Sequence, residues 1–318
     1  MRESHKTDNL KSNRQPKVCK LVKHAPKQLM KTQGTNNLGT RRLFNSNQER
    51  DAMALRFAHL AVAAGQIALD VLSRSEIIAR EKIDRSPVTE ADERIETFLI
   101  KELAGLLPGV CVVAEEAVSR GETVRAADVF LLIDPIDGTK EFIAQSDEFT
   151  INIALIANNR PVIGVIFAPK KSRIWFAGAT AYAVDVTAGA AFALKDDWRK
   201  LSVGLETPEK FLALVSKSHL DADTRFYLSR FKNLEIAPMG SSLKFCLLAE
   251  GRGDFYPRFG PTMEWDTAAG EAILCAAGGV VLDIKGSPLI YGKAEESYRN
   301  GPFVAWRNPL IFQRATFS

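Results

Sequence analysis

The first half of the chain contains two stretches in which hydrophobic residues recur at three- and four-residue steps. From residue 51 onward, this spacing is kept by Leu55, Ala58, Val62, Ile67 and Val71. A second stretch, over residues 89–107, has Asp92 and Glu93 in its first turn, where acidic side chains interact favourably with the helix dipole. Since this spacing places the apolar side chains on one face, we predict two amphipathic helices.

After residue 107 the pattern changes to short apolar runs, which predict strands over residues 110–113, 129–133, 150–157, 162–167 and 174–177. The run at 149–156 is nearly continuous, so we expect it to lie centrally in a sheet, followed by a hairpin turn at 158–161. The later pattern predicts a strand over 254–258 and helices near 222–231, over 241–250 and over 266–277. Strands and helices interleave without a strict βαβ order, so we predict a layered α+β fold.

Charge divides the chain into a basic tail and a mildly acidic remainder. The 318 residues are 46% hydrophobic and 25% charged, as in ordinary globular proteins. Residues 1–50 hold twelve Lys and Arg but three Asp and Glu, a net charge of +9, which leaves −5 for residues 51–318 of a chain whose total is +4. The tail is poor in aromatic and β-branched residues, so we predict that it is disordered. An N-terminal α+β lobe is expected over 51–185 and a C-terminal α/β lobe over 186–318.

The tail itself allows three interpretations. It is an arm for nucleic acid or a membrane surface, a targeting peptide, or an extension upstream of a true start at Met53, directly before an alanine-rich helix. We favour the last interpretation from the pattern alone. A run of like charges is usually just a solvated segment.

Cysteine spacing and the lengths of the apolar runs bear on the compartment. Cys19, Cys111, Cys246 and Cys275 are widely spaced and form no C-x-x-C pair, which indicates neither a disulfide framework nor a zinc site. The sequence has no uninterrupted run of about 18 apolar residues, so we predict no transmembrane segment. A reducing cytoplasm fits both observations, and peripheral association with the inner membrane stays open.

The candidate chemistry centres on the six residues from Asp134 to Thr139, with the sequence Asp-Pro-Ile-Asp-Gly-Thr. An apolar strand delivers Asp134 to its end, and Pro135 opposes further sheet pairing, so we expect the chain to turn and both aspartates to face one point. Paired carboxylates repel unless they are protonated or share a cation, and oxygen-only ligands select a hard ion, Mg²⁺ or Mn²⁺. Gly138 and Thr139 then offer backbone N–H groups to an anion. The alternative is an aspartate-rich turn without a ligand.

Further acidic residues lie at the ends of other predicted elements. Glu115 and Glu116 follow the strand at 110–113, and Asp266 stands at the start of the helix at 266–277. Taken singly, Glu115 could be a surface charge and Asp266 an N-cap. Together with Asp134 they give three acidic positions at strand or helix ends, which is the layout expected of a metal site.

In these motifs the chain resembles the inositol monophosphatase-like phosphatases. The pattern of that family is an apolar strand ending in Glu-Glu, then Asp-Pro-x-Asp-Gly-Thr, then Trp-Asp-x-Ala-x-Gly, and the chain has all three in order. Within the family it is most similar to the 3′(2′),5′-bisphosphate nucleotidases of CysQ type, through the stretches at 86–92, 138–142, 149–156, 240–246 and 256–261. Ala114 stands where Gly or Ser is commoner, and the basic tail has no counterpart in the resemblance.

The resemblance implies a layered α-β-α-β-α sandwich of the inositol monophosphatase and fructose-1,6-bisphosphatase type. It also implies two Mg²⁺ ions, a third that arrives with substrate, and Mn²⁺ as a substitute. The implied ligands are Glu115, Asp134, the carbonyl of Ile136, Asp137 and Asp266. In the two-metal displacement that this site would support, Thr139 paired with Asp92 would orient and help deprotonate the attacking water, assisted by Glu115.

The resemblance also implies how a substrate is held. Contacts are expected from Ile136, Asp137, Gly138, Thr139 and Asp266. Ser241, Lys244 and Arg258 would hold the ribose and a second phosphate, since Lys supplies a point charge and Arg a bidentate fork, and His219 would border the base. The implied reaction converts adenosine 3′,5′-bisphosphate into AMP and phosphate, with the 2′-phosphate isomer and the sulfated analogue as further substrates and a role in sulfur assimilation.

Two other functions stay open at this point. An inositol or sugar monophosphate phosphatase would share the metal site. A nucleic-acid-binding protein is suggested by the tail alone, since the core lacks a basic surface interleaved with aromatic residues. We therefore expect a small nucleotide and not a nucleic acid as the partner, and a chain that is a monomer or a homodimer.

Overall fold

The structure is a computed structural model that describes residues 46–74, 77–82, 86–122, 126–191 and 198–311. The predicted disordered tail covers residues 1–50, of which residues 1–45 lie outside the described residues. Its last residues are helical, because the first helix begins at Asn47 and is capped by Ser46. The side chains of Ser46 and Glu49 each accept the backbone N–H of the other, in a capping box. The predicted end of the tail at residue 50 is therefore wrong.

The described residues form helices and strands that we number in chain order. The helices are α1 (Asn47–Leu72), α2 (Glu90–Leu106), α3 (Glu115–Ser119), α4 (Thr139–Ile143), α5 (Ala222–Leu228), α6 (Leu243–Ala249) and α7 (Glu264–Ala276). The first strands are β1 (Ala79–Glu81), β2 (Pro87–Thr89), β3 (Cys111–Ala114), β4 (Val129–Asp137), β5 (Thr150–Ala157), β6 (Arg160–Ala168), β7 (Arg173–Ala177), β8 (Ala181–Asp185) and β9 (Arg199–Lys200). The later strands are β10 (Phe211–Ser216), β11 (Leu234–Met239), β12 (Phe255–Arg258), β13 (Thr262–Met263), β14 (Val280–Asp283), β15 (Arg299–Asn300) and β16 (Phe303–Trp306).

Seven strands form the larger sheet, in the order β3-β4-β5-β6-β7-β8-β9. β3 and β4 are parallel, and each later pair is antiparallel. β4 and β5 are buried along nearly their whole length, which is why both have continuous apolar sequences and not alternating ones. The predicted hairpin turn joins β5 to β6 through Asn158 and Asn159, both with positive φ.

The second sheet has five strands, in the order β11-β10-β12-β16-β14. β10 is parallel to both of its neighbours, and the remaining pairs are antiparallel. All five strands follow residue 210, so this sheet belongs to the C-terminal part of the chain. β9 pairs with β8 in the first sheet, which places the last strand of that sheet beyond the lobe boundary predicted after residue 185.

Three apolar cores define how these layers are stacked. In the first core, α1 and α2 cover one face of the larger sheet and bury Phe57 and Ile95 completely. In the second core, α6 and α7 fill the space between the two sheets, around Ile273. In the third core, α5 covers the other face of the five-stranded sheet through Leu228, against Trp306. This order of helix, sheet, helix, sheet and helix confirms the predicted α+β sandwich.

Among the described helices, α1 alone is long and apolar enough to cross a bilayer by length and composition. One face of α1 is nevertheless part of the first core, where Phe57, Ala61 and Ala64 are fully buried. A core helix of a globular protein has the same composition, because it also buries an apolar face.

Candidate active site

The central carboxylates lie at the end of β4. Asp134 pairs with Asn152 of β5, and after an irregularity in register the pairing resumes at Asp137. The prediction that pairing stops at Pro135 is therefore wrong, because the strand accommodates the proline by a local shift and ends at Asp137. Gly138 then turns the chain with a φ of +92°, a conformation that glycine adopts without steric cost.

Asp134 is buried among like charges. It is 1% exposed, and its Oδ1 atom has no hydrogen-bond partner in the described part of the chain. Burial raises the pKa of Asp134 well above its usual value, and the carboxylates of Glu115, Asp137 and Asp266 raise it further. This side chain therefore needs a proton or a nearby cation, since an unpaired buried charge is costly.

Glu115 reaches the cluster from the junction of β3 and α3, where it is bonded to a lysine. The Nζ atom of Lys82 lies 2.6 Å from a carboxylate oxygen of Glu115 and 2.6 Å from one of Glu116. Burial lowers the pKa of Lys82, but the two glutamates outweigh burial, so the pKa is raised and the ammonium stays charged. Burial raises the pKa of Glu116 to about 8, and the charge of Glu115 adds to this effect. A cationic side chain is thus the partner of Glu115 in this structure.

Helix α7 brings Asp266 to the cluster. The helix packs closely on β6 because Gly164 lacks a side chain: a Cβ atom there would lie 2.3 Å from the carbonyl oxygen of Ala269. Asp266 is the third residue of α7 and not its N-cap, and its Oδ2 accepts the N–H of Met263 at 2.8 Å. Burial and, after it, the charge of Asp137 raise the pKa of Asp266 to about 8.

The donor atoms of this cluster suit a hard divalent cation. Carboxylate oxygens are the ligands that Mg²⁺ and Mn²⁺ prefer, and the unsatisfied Oδ1 of Asp134 is an atom that a cation would satisfy. Among the described residues, no group of three or more His, Cys, Asp or Glu side chains already has an arrangement that could hold a metal ion. Two of the carboxylates are bonded to other groups, Glu115 to Lys82 and Asp266 to the N–H of Met263. A cation entering the cluster would therefore compete with Lys82 for Glu115.

Thr139 is held between two oxygen acceptors at the start of α4. Its Oγ1 lies 3.3 Å from Oδ1 of Asp92 and 3.2 Å from the carbonyl oxygen of Ile136. Asp92 is fixed in turn at the start of α2, where its Oδ2 accepts two hydrogen bonds from Thr89. The backbone N–H of Thr89 donates at 2.8 Å and the hydroxyl of Thr89 donates at 2.5 Å. Burial raises the pKa of Asp92 to about 6, although the bonds from Thr89 oppose this shift. The structure thus brings the predicted pair of Thr139 and Asp92 together.

Ser241 joins the cluster from the loop before α6. Its φ of +54° lies in the left-handed region, which residues other than glycine rarely adopt. Its Oγ atom donates to Oδ2 of Asp137 at 3.0 Å. Burial raises the pKa of Asp137, whereas the charge of Lys244 and the bonds from Ser241 and from the N–H of Ser242 lower it. Ser241, predicted as a substrate contact, is therefore also a partner of a predicted metal ligand.

Lys244 is a buried cation on the first turn of α6. Its Nζ atom donates to the carbonyl oxygens of Met239 and Ser241, and it lies 5.0 Å from the ring centroid of Tyr256. Burial lowers the pKa of Lys244 to about 8, although the charge of Asp137 opposes this shift. The carbonyl partners hold the ammonium in place without cancelling its charge.

Arg258, at the end of β12, is held in a similar way. Its Nε donates to the carbonyl oxygen of Gly260 at 3.2 Å, and its Nη2 donates to that of Pro261 at 2.9 Å. Arg258 is 8% exposed, so its side chain is fixed by packing as well as by these bonds.

A single cavity of about 760 Å³ connects these groups. The predicted site residues that line it are Glu115, Asp134, Ile136, Asp137, Gly138, Thr139, His219, Ser241, Lys244, Arg258 and Asp266. Asp92 touches the site through Thr139. His219 is exposed at the cavity, and partial burial together with the charges of Arg258 and Lys140 lowers its pKa.

Sequence reasoning missed part of this site. Lys140 and Glu141 also line the cavity, and their place in the Gly-Thr-Lys-Glu-Phe stretch was a usable signal. Lys82 gave no signal, because the glutamate that it contacts lies 33 positions away. Thr150 lies in the stretch at 149–156 that carries the resemblance, but its contact with Ser241, 91 positions away, could not be predicted from the sequence. Trp265 is 4% exposed and packs in the second core.

The sequence pattern of the Inositol monophosphatase family matches residues 49–308. The chain therefore belongs to this family, as its three acidic motifs indicated.

Several proteins named CysQ are similar to this chain. A 3′(2′),5′-bisphosphate nucleotidase CysQ of Shigella flexneri is 41% identical over 222 residues, which cover 70% of this chain and 86% of that protein. A protein of the same name from Buchnera aphidicola is 36% identical over 258 residues, or 79% of this chain and 92% of the relative. The crystal structure of CysQ from Bacteroides thetaiotaomicron superposes with a TM-score of 0.69 at 34% identity, covering 82% of this chain and 98% of that one. The predicted resemblance to the CysQ type is confirmed.

Proposed function

We propose that this chain is a metal-dependent 3′(2′),5′-bisphosphate nucleotidase that hydrolyses adenosine 3′,5′-bisphosphate to AMP and phosphate. The observation that carries the proposal is one cavity lined both by a carboxylate cluster and by the cations Lys244 and Arg258. Its volume of about 760 Å³ lies within the usual range for small-molecule sites, about 300–1,000 Å³. The relatives at 41% and 36% identity are named as enzymes of this activity.

The metal ligands in this proposal are the carboxylates of the cluster and one backbone oxygen. Glu115, Asp134, Asp137, Asp266 and the carbonyl of Ile136 would hold two Mg²⁺ ions, with a third arriving with substrate and Mn²⁺ able to substitute. When bound, Mg²⁺ would neutralise charge on the phosphoryl oxygens and make a water more acidic. The raised pKa values of Asp134 and Asp266 support this assignment, because the cluster needs positive charge to ionise fully.

Thr139 and Asp92 would accept the proton of the attacking water. The Oγ1 atom of Thr139 can accept a proton from that water while it passes its own to Oδ1 of Asp92, 3.3 Å away. A carboxyl group whose pKa is about 6 is a stronger base than an ordinary aspartate. Glu115 would assist in this proton transfer.

Specificity for a substrate with two phosphates would come from the cationic part of the cavity. The N–H groups of Gly138 and Thr139 would bind the phosphate that is removed. Lys244, Arg258 and Ser241 would bind the retained phosphate and the ribose, and His219 would border the base. A substrate with one phosphate would have no anion for the two cations.

The reaction also suggests where the protein acts. Clearance of adenosine 3′,5′-bisphosphate would remove a by-product of sulfur assimilation in the cytoplasm, where the free thiols of Cys111, Cys246 and Cys275 would stay reduced. Peripheral association with the inner membrane and a monomeric or dimeric state stay predictions. Nucleic-acid binding by the tail concerns residues outside those that the structure describes.

The experiment that tests the proposal is product analysis. The chain is incubated with adenosine 3′,5′-bisphosphate in Mg²⁺ or in EDTA, and the nucleotides are separated by ion-exchange chromatography. We expect AMP and an equal amount of phosphate in Mg²⁺, and neither in EDTA. If AMP does not form while inositol monophosphate is hydrolysed, the chain is a general monoester phosphatase of the same family.

A further inference from the structure

Strand β5 begins with two buried polar residues for which the proposed chemistry has no use. Thr150 is 0% exposed and Asn152 is 1% exposed. Since alternate residues of a strand share a face, both lie on the face of Ala154 and Ile156, which pack in the second core. Burying polar side chains is unfavourable unless they are hydrogen-bonded, so their partners indicate what they do.

The hydrogen-bond partners of this pair include two consecutive serines at the start of α6. The Oγ1 atom of Thr150 lies 2.5 Å from Oγ of Ser241 and 2.8 Å from Oγ of Ser242. The Oδ1 atom of Asn152 accepts the hydroxyl of Ser242 at 2.9 Å and lies 3.1 Å from Oγ1 of Thr150. These bonds link the first sheet to the loop that precedes α6.

The network converges on the carboxylate of Asp137. Its Oδ2 accepts the hydroxyl of Ser241 at 3.0 Å and the Nδ2–H of Asn152 at 3.4 Å, and the N–H of Ser242 bonds the same carboxylate. Because Ser241 has one hydroxyl proton and gives it to Asp137, its oxygen can only accept from Thr150. The proton of Thr150 then points to Ser241, and the proton of Ser241 points to Asp137.

We propose that Thr150 and Asn152 are positioning residues that set the orientation of Asp137 for metal binding, acting through Ser241 and Ser242. This inference rests on the proposed function in so far as Asp137 is a metal ligand there. Groups that hold a metal ligand from behind fix its rotamer before the metal arrives, and removing one typically costs about 10- to 100-fold in metal affinity or activity. The network also explains the left-handed φ of Ser241, since the bonds from Thr150 and to Asp137 hold the residue there.

The test compares Thr150→Val, which keeps the shape of the side chain and removes its hydroxyl, with Thr150→Ser, which keeps the hydroxyl. The Mg²⁺ concentration that gives half of the full rise in melting temperature is measured without substrate. We expect this concentration to rise about tenfold in Thr150→Val and to stay within about threefold of wild type in Thr150→Ser. The melting temperature in EDTA reports separately on folding, and kcat for adenosine 3′,5′-bisphosphate should fall with little change in KM.

Two results would overturn the inference. One is an unchanged Mg²⁺ concentration in Thr150→Val, and the other is equal weakening in Thr150→Ser, which would indicate packing instead of hydrogen bonding. If Thr150→Val does not fold, Ser242→Ala removes the hydroxyl that Asn152 accepts and is judged by the same criteria. Because the titration needs no substrate, a wild-type chain that binds Mg²⁺ but does not hydrolyse the nucleotide would contradict the proposed function alone. A wild-type chain that shows no Mg²⁺ effect would contradict both.

Discussion

At the scale of single residues, the site is a group of acids that are too buried to be charged together without a partner. Burial comes first among the causes that raise the pKa values of Asp134, Asp137 and Asp266, and neighbouring carboxylates raise them further. A proton, an ammonium group such as that of Lys82, or a divalent cation can each supply the missing charge. The role of an individual carboxylate is therefore best tested by a change that removes charge and keeps shape.

We predict that Asp137→Asn folds but loses nearly all activity on adenosine 3′,5′-bisphosphate. The amide keeps the size of the side chain but carries no negative charge for Mg²⁺, so kcat should fall by several powers of ten. The measurement is phosphate release at saturating Mg²⁺, with the melting temperature as the check on folding. Asp185→Asn is the matched control, because its side chain is 78% exposed and lies at the end of β8. Near-normal turnover of Asp137→Asn would remove Asp137 from the metal site.

At the scale of elements, the hydrophobic pattern was sufficient to predict helices and strands that bury a large apolar face. The predicted second helix and the predicted central strand match α2 at Glu90–Leu106 and β5 at Thr150–Ala157. The prediction failed at the ends of elements, since α1 starts at a capping box and β4 continues past Pro135 by a shift in register. Strands β9 and β11 received no predicted bounds, because β9 consists of two exposed residues and the edge strand β11 is partly exposed, so neither has a strong apolar pattern.

The same distinction explains which parts of the site could be predicted. Asp134, Asp137, Glu115 and Asp266 stand in motifs with fixed local spacing, so the sequence alone was enough to predict that they lie in one site. Lys82 could not be found, because a single lysine has no pattern until the fold brings it to Glu115. The contacts of Thr150 and Asn152 with residues 241 and 242 likewise depend on the packing of α6 against the first sheet.

We predict that the beginning of α1 is needed for stability. Oδ1 of Asp51 accepts the N–H groups of Ala179 and Thr180 at 2.7 and 2.9 Å, which ties the first turns of α1 to the loop before β8. A cap is worth about 0.5–2 kcal/mol and a hydrogen bond to a charged group about 1.5–3 kcal/mol. A chain that starts at Met53 should therefore melt at least about 5 °C lower than one that starts at Ser46.

Differential scanning calorimetry of both truncated chains and the full chain would make this comparison. The chain starting at Ser46 should match the full chain, since the sequence of residues 1–45 has no periodic apolar face. Asp51→Ala in the full chain is expected to lower the melting temperature by part of the same amount. Equal melting temperatures for all four proteins would show that the contacts of Asp51 and the capping box do not stabilise the fold.

At the scale of the whole molecule, both sheets contribute to one cavity. β4 supplies Asp134 and Asp137, α7 between the sheets supplies Asp266, and the end of β12 supplies Arg258. Protons and metal ions compete for the same buried oxygens, so metal binding, pH and stability are linked in this fold.

We predict that Mg²⁺ stabilises the protein more as the pH rises. In EDTA, the folded state favours the protonated forms of Asp134 and Asp266, because their pKa values are raised above the usual value of 3.8. Their contribution to stability is complete below that value and is lost as the pH rises through the folded pKa, about 8 for Asp266. Mg²⁺ should therefore raise the melting temperature more at about pH 8.5 than at about pH 6. Asp266→Asn should reduce this difference, whereas a Mg²⁺ effect that does not depend on pH would contradict the linkage.

In the proposed function, one cavity joins a metal-dependent phosphatase centre to cations that select a second phosphate. The most direct measurement is kcat/KM for adenosine 3′,5′-bisphosphate and for inositol monophosphate, in the wild type and in the double variant Lys244→Ala with Arg258→Ala. Each lost contact to a charged phosphate is worth about 1.5–3 kcal/mol, so the value for the nucleotide should fall by about two to four powers of ten. The value for inositol monophosphate should change little, and Arg252→Ala, whose side chain is 67% exposed, should change neither. Equal losses on both substrates would contradict the claim, because these residues would then support the fold or the metal site and not the choice of substrate.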